Sequence, residues 1–258
     1  MSLLEAVVLG FIQGMSEFLP VSSSGHLMVF HHLFGITAED NLTFIIVLNM
    51  GSLLPLLFVF QKDIWALLRN PFQRTTWLLV VATTPLVVVT LIFERHIESL
   101  FHAVHFLPIG FVITGIALLL SDRIKNNRKN MEGISLFDAA LIGCAQAAAV
   151  FPGLSRSGST ITATMARGVG RESAARFSFL MSVPAAFGAI VFRIARIVAS
   201  PELLEGLSFV NLVAGFLTAA ITGYLSINFM LNIVKKAKLK YFAFYYIFAL
   251  AVLIFLFF

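Results

Sequence analysis

Charged residues are scarce in this chain. Asp, Glu, Lys and Arg make up 12% of its 258 residues, and 59% of the residues are apolar, whereas an ordinary soluble domain has about 25% charged residues. So few charges cannot cover a folded chain of this length in water, which excludes a soluble globular protein. The mean hydropathy of +0.94 predicts instead an all-α integral membrane protein.

Cysteine is nearly absent as well. Cys144 is the one cysteine of the sequence, which excludes an intramolecular disulfide and a cysteine metal cluster. No basic segment precedes the first apolar stretch, which begins at Leu3, so we expect no cleaved signal peptide. The net charge of +5 comes from short connecting segments, a distribution typical of membrane topology signals and not of a nucleic-acid surface.

Six stretches are apolar and long enough to cross a bilayer as helices, which takes about 20 residues. They are 42–61, 75–93, 106–120, 173–198, 209–231 and 242–258. Lys and Arg in three connections mark those connections as cytoplasmic, namely Lys62, Arg69, Arg74, Arg123, Lys125, Arg128, Lys129, Lys235, Lys236, Lys238 and Lys240. The loops at 94–98 and 201–205 are poor in these residues, so we expect them to face outward together with both termini.

Two further stretches are interrupted by polar and helix-breaking residues. Residues 3–34 are broken at Pro20–Gly25, and residues 134–169 are broken at Pro152–Gly158. Irregular backbone at membrane depth is tolerated only where it is buried in protein or lines a wet cavity. We therefore predict two re-entrant pairs of half-helices whose breaks are functional.

The two interrupted stretches are similar to each other at a constant offset in the sequence. Nine identities join positions 10–44 to positions 143–177, Gln13 with Gln146 and Ser22 with Ser155 among them, which indicates an internal duplication. Three predicted spans separate the copies, so the second copy is predicted to be inverted. We expect one membrane domain over 1–258, with repeat 1 at about 1–120 and repeat 2 at about 134–258. In such a fold, half-helix N-termini point their positive dipole ends at anionic groups near the midplane.

The first break carries several groups that could act on an anion. Gln13 and Glu17 lie four residues apart on one helix face and could share a ligand. Ser22, Ser23, Ser24 and Gly25 follow, a run whose backbone amides can bind an anion at the start of the next half-helix, and His26 lies one turn further. The structural alternative is that the small residues serve helix packing and that Glu17 and His26 bond each other.

The second break places a lone guanidinium in the same setting. Arg156 lies where the first repeat has Ser23, among the hydroxyls of Ser155, Ser157 and Thr160. Arg grips a phosphate with two parallel hydrogen bonds and stays charged in a low dielectric, so this pattern predicts a phosphate clamp. An ion pair that neutralises Glu17 is the alternative, and both can hold at once.

At these two breaks the sequence resembles the undecaprenyl-diphosphate phosphatase family, the bacitracin-resistance phosphatases. The signatures of that family are Glu-or-Gln-x-x-x-Glu followed by Pro-x-Ser-Ser-x-Gly-His, and Pro-Gly-x-Ser-Arg-Ser-x-x-Thr. Here they fall on Gln13, Glu17, Ser22, Ser23, Gly25, His26, Pro152, Gly153, Ser155, Arg156, Ser157 and Thr160. Length and hydropathy agree from end to end, so the resemblance covers the whole chain.

The resemblance implies hydrolysis of undecaprenyl diphosphate in a bacterial plasma membrane, at a site that opens to the outer face. This reaction recycles the lipid carrier for peptidoglycan and other envelope polymers and confers bacitracin resistance. It also implies Glu17, Ser23, His26 and Arg156 as catalytic residues, and Gln13, Ser22, Ser24, Gly25, Ser155, Ser157 and Thr160 as substrate-binding residues. A divalent cation, Mg²⁺ or Ca²⁺, is expected at Glu17 and Gln13, although many members have Glu where this chain has Gln13, and an amide is the weaker ligand.

Several alternatives stay open at this stage. The nucleophile is Ser23 with His26 as its base, His26 itself, or a water activated through Glu17 and the metal. An inverted repeat also suits a polyprenyl-phosphate flippase or an anion transporter in which Arg156 binds the ligand and no bond breaks. The lipid phosphatase superfamily shares Ser-Gly-His, but its Lys-x6-Arg-Pro segment does not occur in this sequence. The oligomeric state is not predicted.

Overall fold

The computed structural model describes residues 1–36, 38–100, 104–124, 129–199, 208–236 and 239–257. Throughout these ranges the regular structure is helical, apart from one isolated bridge between Lys129 and Val169. The all-α prediction is therefore confirmed. Predicted loop positions at 125–128, 201–205 and Lys238, and the side chains of Glu39 and Lys236, lie outside what is described.

Eleven α-helices follow one another along the described chain. They are α1 (Leu3–Phe18), α2 (Ser23–Leu33), α3 (Ala38–Val59), α4 (Gln61–Arg69), α5 (Arg74–Leu100), α6 (Leu107–Ser121), α7 (Leu136–Ala148), α8 (Arg156–Ala166), α9 (Arg171–Ala199), α10 (Phe209–Lys236) and α11 (Lys240–Phe257). Short 3₁₀ turns at Val104–Phe106 and Met131–Gly133 precede α6 and α7.

The long helices agree with the predicted spans. Five of them, α5, α6, α9, α10 and α11, are long and apolar enough to cross a membrane, and α3 with α4 forms a sixth span if the bent pair counts as one. The chain is thus a multi-pass membrane protein. One boundary was wrong, because residues 94–98 are not a loop. They continue α5 beyond a kink at Phe93, whose φ of −109° and ψ of 18° are not helical.

Both interrupted stretches form pairs of short helices, broken where the sequence predicts. α1 and α7 start with capping boxes, in which Ser2 pairs with Glu5 and Ser135 with Asp138. α1 ends before Pro20, which lacks the N–H that would continue the helix. Ser22 and Ser155 then cap α2 and α8 by accepting from the backbone N–H three residues on.

The helix starts repeat at the offset of the sequence identities. The spacing that separates Gln13 from Gln146 also separates the first residues of four pairs of helices: α1 and α7, α2 and α8, α3 and α9, and α6 and α11. Gly35 and Gly168, partners at the same offset, both follow the second half-helix with positive φ, a backbone conformation that favours glycine. The duplication stays an inference from sequence, and these boundaries agree with it.

Each half-helix pair packs against the other half of the chain. α1 lies along α10, and α7 lies along α5. Close backbone contact makes both interfaces tight: a Cβ at Gly10 would stand 2.5 Å from the carbonyl oxygen of Gly215, and one at Gly143 would stand 2.4 Å from that of Ala82. Small residues allow such approaches between membrane helices. The two halves therefore interlock as one body.

The two ends of the bundle differ in how many basic residues they hold. At one end Arg167 pairs with Asp138, Arg171 with Asp122, Arg176 with Asp63 and Lys235 with Glu172. This end holds the starts of α5, α7 and α9, since Arg74 donates to the carbonyl oxygen of Ile134. At the other end, where Arg196 pairs with Glu94, Asn211 donates to the carbonyl oxygen of Met1. α1 and α7 thus start at opposite ends of the bundle.

Candidate active site

The breaks of the two half-helix pairs meet inside the bundle. Ser22 Oγ donates to the carbonyl oxygen of Leu154 at 3.3 Å, and Ser157 Oγ donates to that of Leu19 at 2.9 Å. Each of these bonds joins one repeat to the other, and together they hold the N-termini of α2 and α8 side by side. Free backbone amides and the positive ends of two helix dipoles therefore converge on one place, a geometry that favours a bound anion.

A cavity of about 230 Å³ opens where the two breaks meet. Its lining includes three pairs of positions that correspond in the two repeats: Ser16 with Ala149, Glu17 with Val150, and Ser23 with Arg156. The remaining lining residues are Ser24, Leu154 and Ser155. At the corresponding positions the two repeats differ in chemistry: the first supplies the carboxylate and most of the hydroxyls, and the second supplies the guanidinium. The cavity is thus formed by both repeats, with its acidic group on one side and its basic group on the other.

Glu17 holds the centre of the polar network. One of its carboxylate oxygens accepts from Arg156, and the other accepts from Ser23 Oγ at 2.7 Å and from Gln13 Nε2 at 3.0 Å. The side chains of Glu17 and Arg156 are 13% and 26% exposed, so both charges are shielded yet reachable from the cavity. The structure brings together Gln13, Glu17, Ser23 and Arg156, including the ion pair that the sequence suggested.

Gln13 is fixed by residues that sequence reasoning missed. Besides Glu17, its amide nitrogen donates to Asn49 Oδ1 at 2.7 Å and to Ser52 Oγ at 3.3 Å, both on α3. The signal for them was present, since Asn49 and Ser52 are polar residues in the middle of an otherwise apolar span. With its nitrogen turned to these acceptors, Gln13 would present its carbonyl oxygen to a metal only if the amide rotated.

His26 lies beside the cavity but does not line it. Its Nδ1 is 2.7 Å from the carbonyl oxygen of Ser22, and its Nε2 contacts the hydroxyl of Tyr245 on α11. Since a carbonyl oxygen only accepts, Nδ1 carries the proton and Nε2 accepts from Tyr245. Glu17 and His26 therefore do not bond each other in this structure. Tyr245 was missed because its only sequence signal is a hydroxyl in an aromatic-rich span.

The backbone at Ser22 is unusual. It has a φ of +69° and a ψ of 90°, in a region that costs a non-glycine residue of the order of 1–3 kcal/mol. Its repeat partner Ser155 has an ordinary φ of −82°. Two hydrogen bonds of the Ser22 hydroxyl, to the carbonyl oxygen of Leu154 and from the N–H of Gly25, hold Ser22 in this conformation. Such local strain is typical of functional sites.

The other predicted binding residues take supporting positions. Ser155 Oγ is 3.1 Å from Ser157 Oγ and accepts from Gly158 N–H at 3.0 Å. Thr160 donates to the carbonyl oxygen of Arg156 at 2.8 Å and contacts Ser178, so it braces the first turn of α8 without lining the cavity. Gly25 cannot be replaced freely, because a Cβ there would stand 2.6 Å from the ring of Phe111.

The side chains of the cavity could hold a cation only together with oxygens of a bound phosphate. Within the described residues no group of three His, Cys, Asp or Glu side chains could hold a metal by itself, and Glu17 is the carboxylate among the cavity's lining residues. Mg²⁺ commonly keeps several waters and binds through one or two carboxylates plus substrate phosphates. The site therefore fits a cation that Glu17 would hold together with phosphate oxygens.

The fold and the cavity define a multi-pass membrane protein with a polar cavity between two broken helix pairs, lined by Glu17 and Arg156. The family model described as Bacitracin resistance protein BacA matches residues 6–253, and the chain belongs to that family. It is 41% identical over 245 residues to the undecaprenyl-diphosphatase of Carboxydothermus hydrogenoformans, which covers 95% of this chain and 94% of the relative.

Similar relatives occur in other organisms. Undecaprenyl-diphosphatase 4 of Bacillus thuringiensis subsp. konkukian is 42% identical over 254 residues, which covers 98% of this chain and 96% of the relative. The undecaprenyl-diphosphatase of Methanobrevibacter smithii is 35% identical over 266 residues, with 95% and 94% covered. The resemblance at the two breaks is thus confirmed over nearly the whole chain.

Proposed function

We propose that this protein hydrolyses undecaprenyl diphosphate to undecaprenyl phosphate and inorganic phosphate. The reaction recycles the lipid carrier for peptidoglycan and other envelope polymers, and it confers resistance to bacitracin. The observation that carries this proposal is one cavity in which Arg156, two half-helix N-termini and a Ser23–Glu17 hydrogen bond converge. It lies in a chain whose relatives are named undecaprenyl-diphosphatases.

Substrate binding uses the groups that already face the cavity. The terminal phosphate enters between the starts of α2 and α8, where backbone amides and the hydroxyls of Ser24 and Ser155 can donate to its oxygens. Arg156 transfers hydrogen bonds from Glu17 to the phosphate and stabilises the charge that spreads over the phosphoryl oxygens in the transition state. Glu17 is thereby released from its ion pair.

Among the open nucleophiles, the geometry favours Ser23. Its hydroxyl already donates to Glu17 at 2.7 Å, whereas both nitrogens of His26 bond groups outside the cavity. Ser23 Oγ attacks the terminal phosphorus, Glu17 takes the hydroxyl proton, and the bond to the bridging oxygen breaks to release undecaprenyl phosphate. Water then attacks the phosphoserine, which frees inorganic phosphate and restores the Ser23 hydroxyl. His26 supports the start of α2 through its bond to Ser22.

A divalent cation completes the proposed site. Glu17 would hold it, with Gln13 beside it after its amide turns. When bound, the cation neutralises phosphate charge and acts as a Lewis acid. Before the attack Glu17 is the charged group that would hold the metal, and it accepts the Ser23 proton as the bond to phosphorus forms. Its release from Arg156 frees one carboxylate oxygen for the metal while the other faces Ser23.

The proposed location is the plasma membrane, with the cavity open to the outer face. The predicted cytoplasmic connections carry Arg74 and Lys235, and the structure groups these with Arg171 and Arg176 at one end of the bundle. An excess of basic residues favours the cytoplasmic side. The substrate is a membrane lipid, so it can reach the cavity laterally between helices.

Phosphate release from undecaprenyl diphosphate by the purified protein tests the proposal. We expect release by the native chain in the presence of Mg²⁺ or Ca²⁺, and a loss of about 10²–10³-fold in Arg156→Ala, since one charge-stabilising donor has about that effect. Arg176→Ala, which removes an arginine from the end of the bundle, is the matched control and should stay active. No release by native protein that still binds the lipid would instead favour a carrier.

The nucleophile has its own test. Acid quenching during turnover should trap a phosphorylated Ser23, identified by peptide mass spectrometry, and Ser23→Ala should yield neither the adduct nor product. Product formation by Ser23→Ala at a near-native rate would show that water attacks directly.

A further inference from the structure

A small apolar groove adjoins the candidate active site on the side of His26. It has a volume of about 140 Å³ and lies between α2, α6 and α11. The residues that shape it are His26, Phe30, Phe111, Tyr245, Ala249 and Val252. The rings of Phe111 and Tyr245 lie nearly parallel to the imidazole of His26, with centroids 5.9 and 5.7 Å away. The groove therefore has an aromatic wall next to the first break.

We propose that this groove seats the first isoprenoid units of the substrate and so fixes the diphosphate in the neighbouring cavity. The inference rests on the proposed function, because it assigns the chain of the lipid whose phosphate that cavity binds. It commits to the isoprenoid chain of the substrate itself and not to an ordinary membrane lipid.

Covalent connectivity is the first reason. The first isoprene unit is attached to the diphosphate, so its seat must adjoin the phosphate site. Two lining residues of this groove lie next to that site. His26 follows Ser23 by one helical turn on α2. Phe111 packs against Gly25, where a Cβ would stand 2.6 Å from the Phe111 ring. A chain that leaves the cavity past the first turn of α2 meets Phe111 and Tyr245 next.

Comparison with the other apolar grooves is the second reason. Two larger ones, of about 280 and 390 Å³, lie between α5 and α9 in the described part of the chain. Both suit a hydrocarbon chain equally well by composition. Their lining residues lie on α3, α4, α5 and α9, and none lies on a half-helix. The His26 groove shares no lining residue with the cavity either, but it includes His26, which lies three residues beyond the cavity-lining Ser23 on α2. It is therefore the groove that can hold the units next to the phosphate.

The chemistry of the lining is the third reason. Lipid tails are as apolar as leucine, so burial alone gives a membrane protein little affinity for a chain, and shape must supply it. Flat rings of Phe111 and Tyr245 offer faces against which a branched, unsaturated chain packs by dispersion. The hydroxyl of Tyr245 already donates to His26, so no unpaired polar group of this described pair faces the seated chain.

Photo-crosslinking of the full-length protein tests where the chain lies, independently of turnover. The probe is a farnesyl-length diphosphate that carries benzophenone on the isoprenoid. We expect mass spectrometry to find the label within residues 245–253 or on α2, and we expect excess inorganic diphosphate to suppress it. Label on α5 or α9, or label that inorganic diphosphate leaves unchanged, overturns the proposal.

Groove-filling variants test the same seat by kinetics. Ala249→Phe, and Val252→Trp at a site where the side chain is 39% exposed, should raise the KM for undecaprenyl diphosphate about tenfold, equivalent to losing contact with roughly two methylene groups. The Ki of inorganic diphosphate, which reads the phosphate cavity alone, should not change. Ala189→Phe in the 390 Å³ groove is the control and should leave both constants unchanged.

The outcomes separate the two proposals. An unchanged KM in both groove variants, or a larger rise in Ala189→Phe, overturns the groove assignment and leaves the hydrolase intact. Absence of phosphate release by the native protein overturns the proposed function, and the crosslinking result then still decides whether the groove binds an isoprenoid chain. Should Ala249→Phe fail to fold, Val252→Trp provides the kinetic answer.

Discussion

At the scale of single residues, Glu17 is the group on which the polar side chains of the cavity converge. It accepts hydrogen bonds from Gln13, Ser23 and Arg156, and the corresponding position of the second repeat is Val150. Two of these donors are neutral side chains and the third is a guanidinium. In the proposed mechanism this single charge would serve as proton acceptor and as metal ligand, so the residue at position 13 would decide how firmly a cation is held.

The Gln13→Glu variant tests that division. A second carboxylate next to Glu17 is a better ligand for a hard cation than an amide, so the variant should need less Mg²⁺ or Ca²⁺ for half-maximal activity, by about tenfold. Titration of each cation into chelator-treated protein measures this, and the native chain should lose activity on chelation and regain it on cation addition. Native activity that persists in excess chelator would contradict the cation proposal.

Gln146, the repeat partner of Gln13, lacks what Gln13 has. It is 1% exposed, and neither atom of its amide has a hydrogen-bond partner among the described residues. The positions that correspond to the partners of Gln13 are Val150, Ser182 and Ala185, only one of which is polar. The second repeat thus has the same amide but lacks the hydrogen-bond partners that Gln13 has in the first.

Replacing that amide by a hydrocarbon should stabilise the protein. A buried polar group without a partner costs about 1–3 kcal/mol, so Gln146→Leu should raise the midpoint of thermal unfolding in detergent and leave phosphate release unchanged. Gln13→Leu, the matched substitution in the first repeat, should instead reduce activity. A lower unfolding midpoint for Gln146→Leu would mean that a water or an unassigned group satisfies the amide.

Much of the site could be predicted at this scale, and the exceptions have a common cause. Gln13, Glu17, Ser23 and Arg156 were foreseen because polar groups in an apolar chain stand out and because the repeat aligns the two breaks. The partnership of His26 with Tyr245 joins α2 to the last helix of the chain, and that of Gln13 with Asn49 needs the packing of α1 on α3. Neither follows from local sequence, since nothing in a span specifies which neighbour it faces.

At the scale of elements, the half-helix pairs are the most predictable feature. Serine caps, proline and glycine fix where these helices start and stop, and such signals are local. The turn between α3 and α4 was not predicted. Residues 42–61 read as one apolar span, yet the chain bends by 80° after Val59 at Phe60, whose φ of −100° and ψ of 19° end the helix. Apolar length alone does not reveal such a bend.

The tight interface between α5 and α7 should depend on Gly143. A methyl group there would lie 2.4 Å from the backbone oxygen of Ala82, and the backbone cannot yield as a side chain can. We expect Gly143→Ala to lower the free energy of unfolding by about 1–3 kcal/mol, the usual cost of overpacking, and to lower activity because α7 leads into the cavity.

Gly188 provides the control for that substitution. It also lies within a helix, α9, but a Cβ added there meets no atom within 4 Å. Gly188→Ala should therefore be neutral or stabilising by up to about 1 kcal/mol, the difference in helix propensity. Thermal unfolding of both variants in one detergent compares them, and equal effects would show that the contact at Ala82 does not limit the interface.

At the scale of the whole molecule, the interlocked halves explain why the site is formed from both. α1 is held by α10 and α7 by α5, so the two breaks reach the middle of the bundle from opposite ends. Each broken pair is thus supported by a helix of the other half, and neither half alone contains that supporting helix. The starts of α2 and α8 therefore face one shared cavity, in which the two repeats have acquired opposite charges at Glu17 and Arg156.

The unequal number of basic residues at the two ends predicts the orientation in the membrane, and single-cysteine labelling can measure it. In a Cys144→Ala background, Ser208→Cys tests the end where α10 begins, and Asn70→Cys tests the loop between α4 and α5 at the end rich in arginine. Because basic residues are retained on the cytoplasmic side, a membrane-impermeant maleimide should label Ser208→Cys in intact spheroplasts and Asn70→Cys only after permeabilisation. α1 starts beside α10, and α2 returns toward the same end. This result would therefore place the start of α1 and the end of α2 outside. A lipid diphosphate in the outer leaflet would then have the shorter path to Glu17. The reverse labelling would place the start of α1 and the end of α2 in the cytoplasm and exclude an outward-facing site.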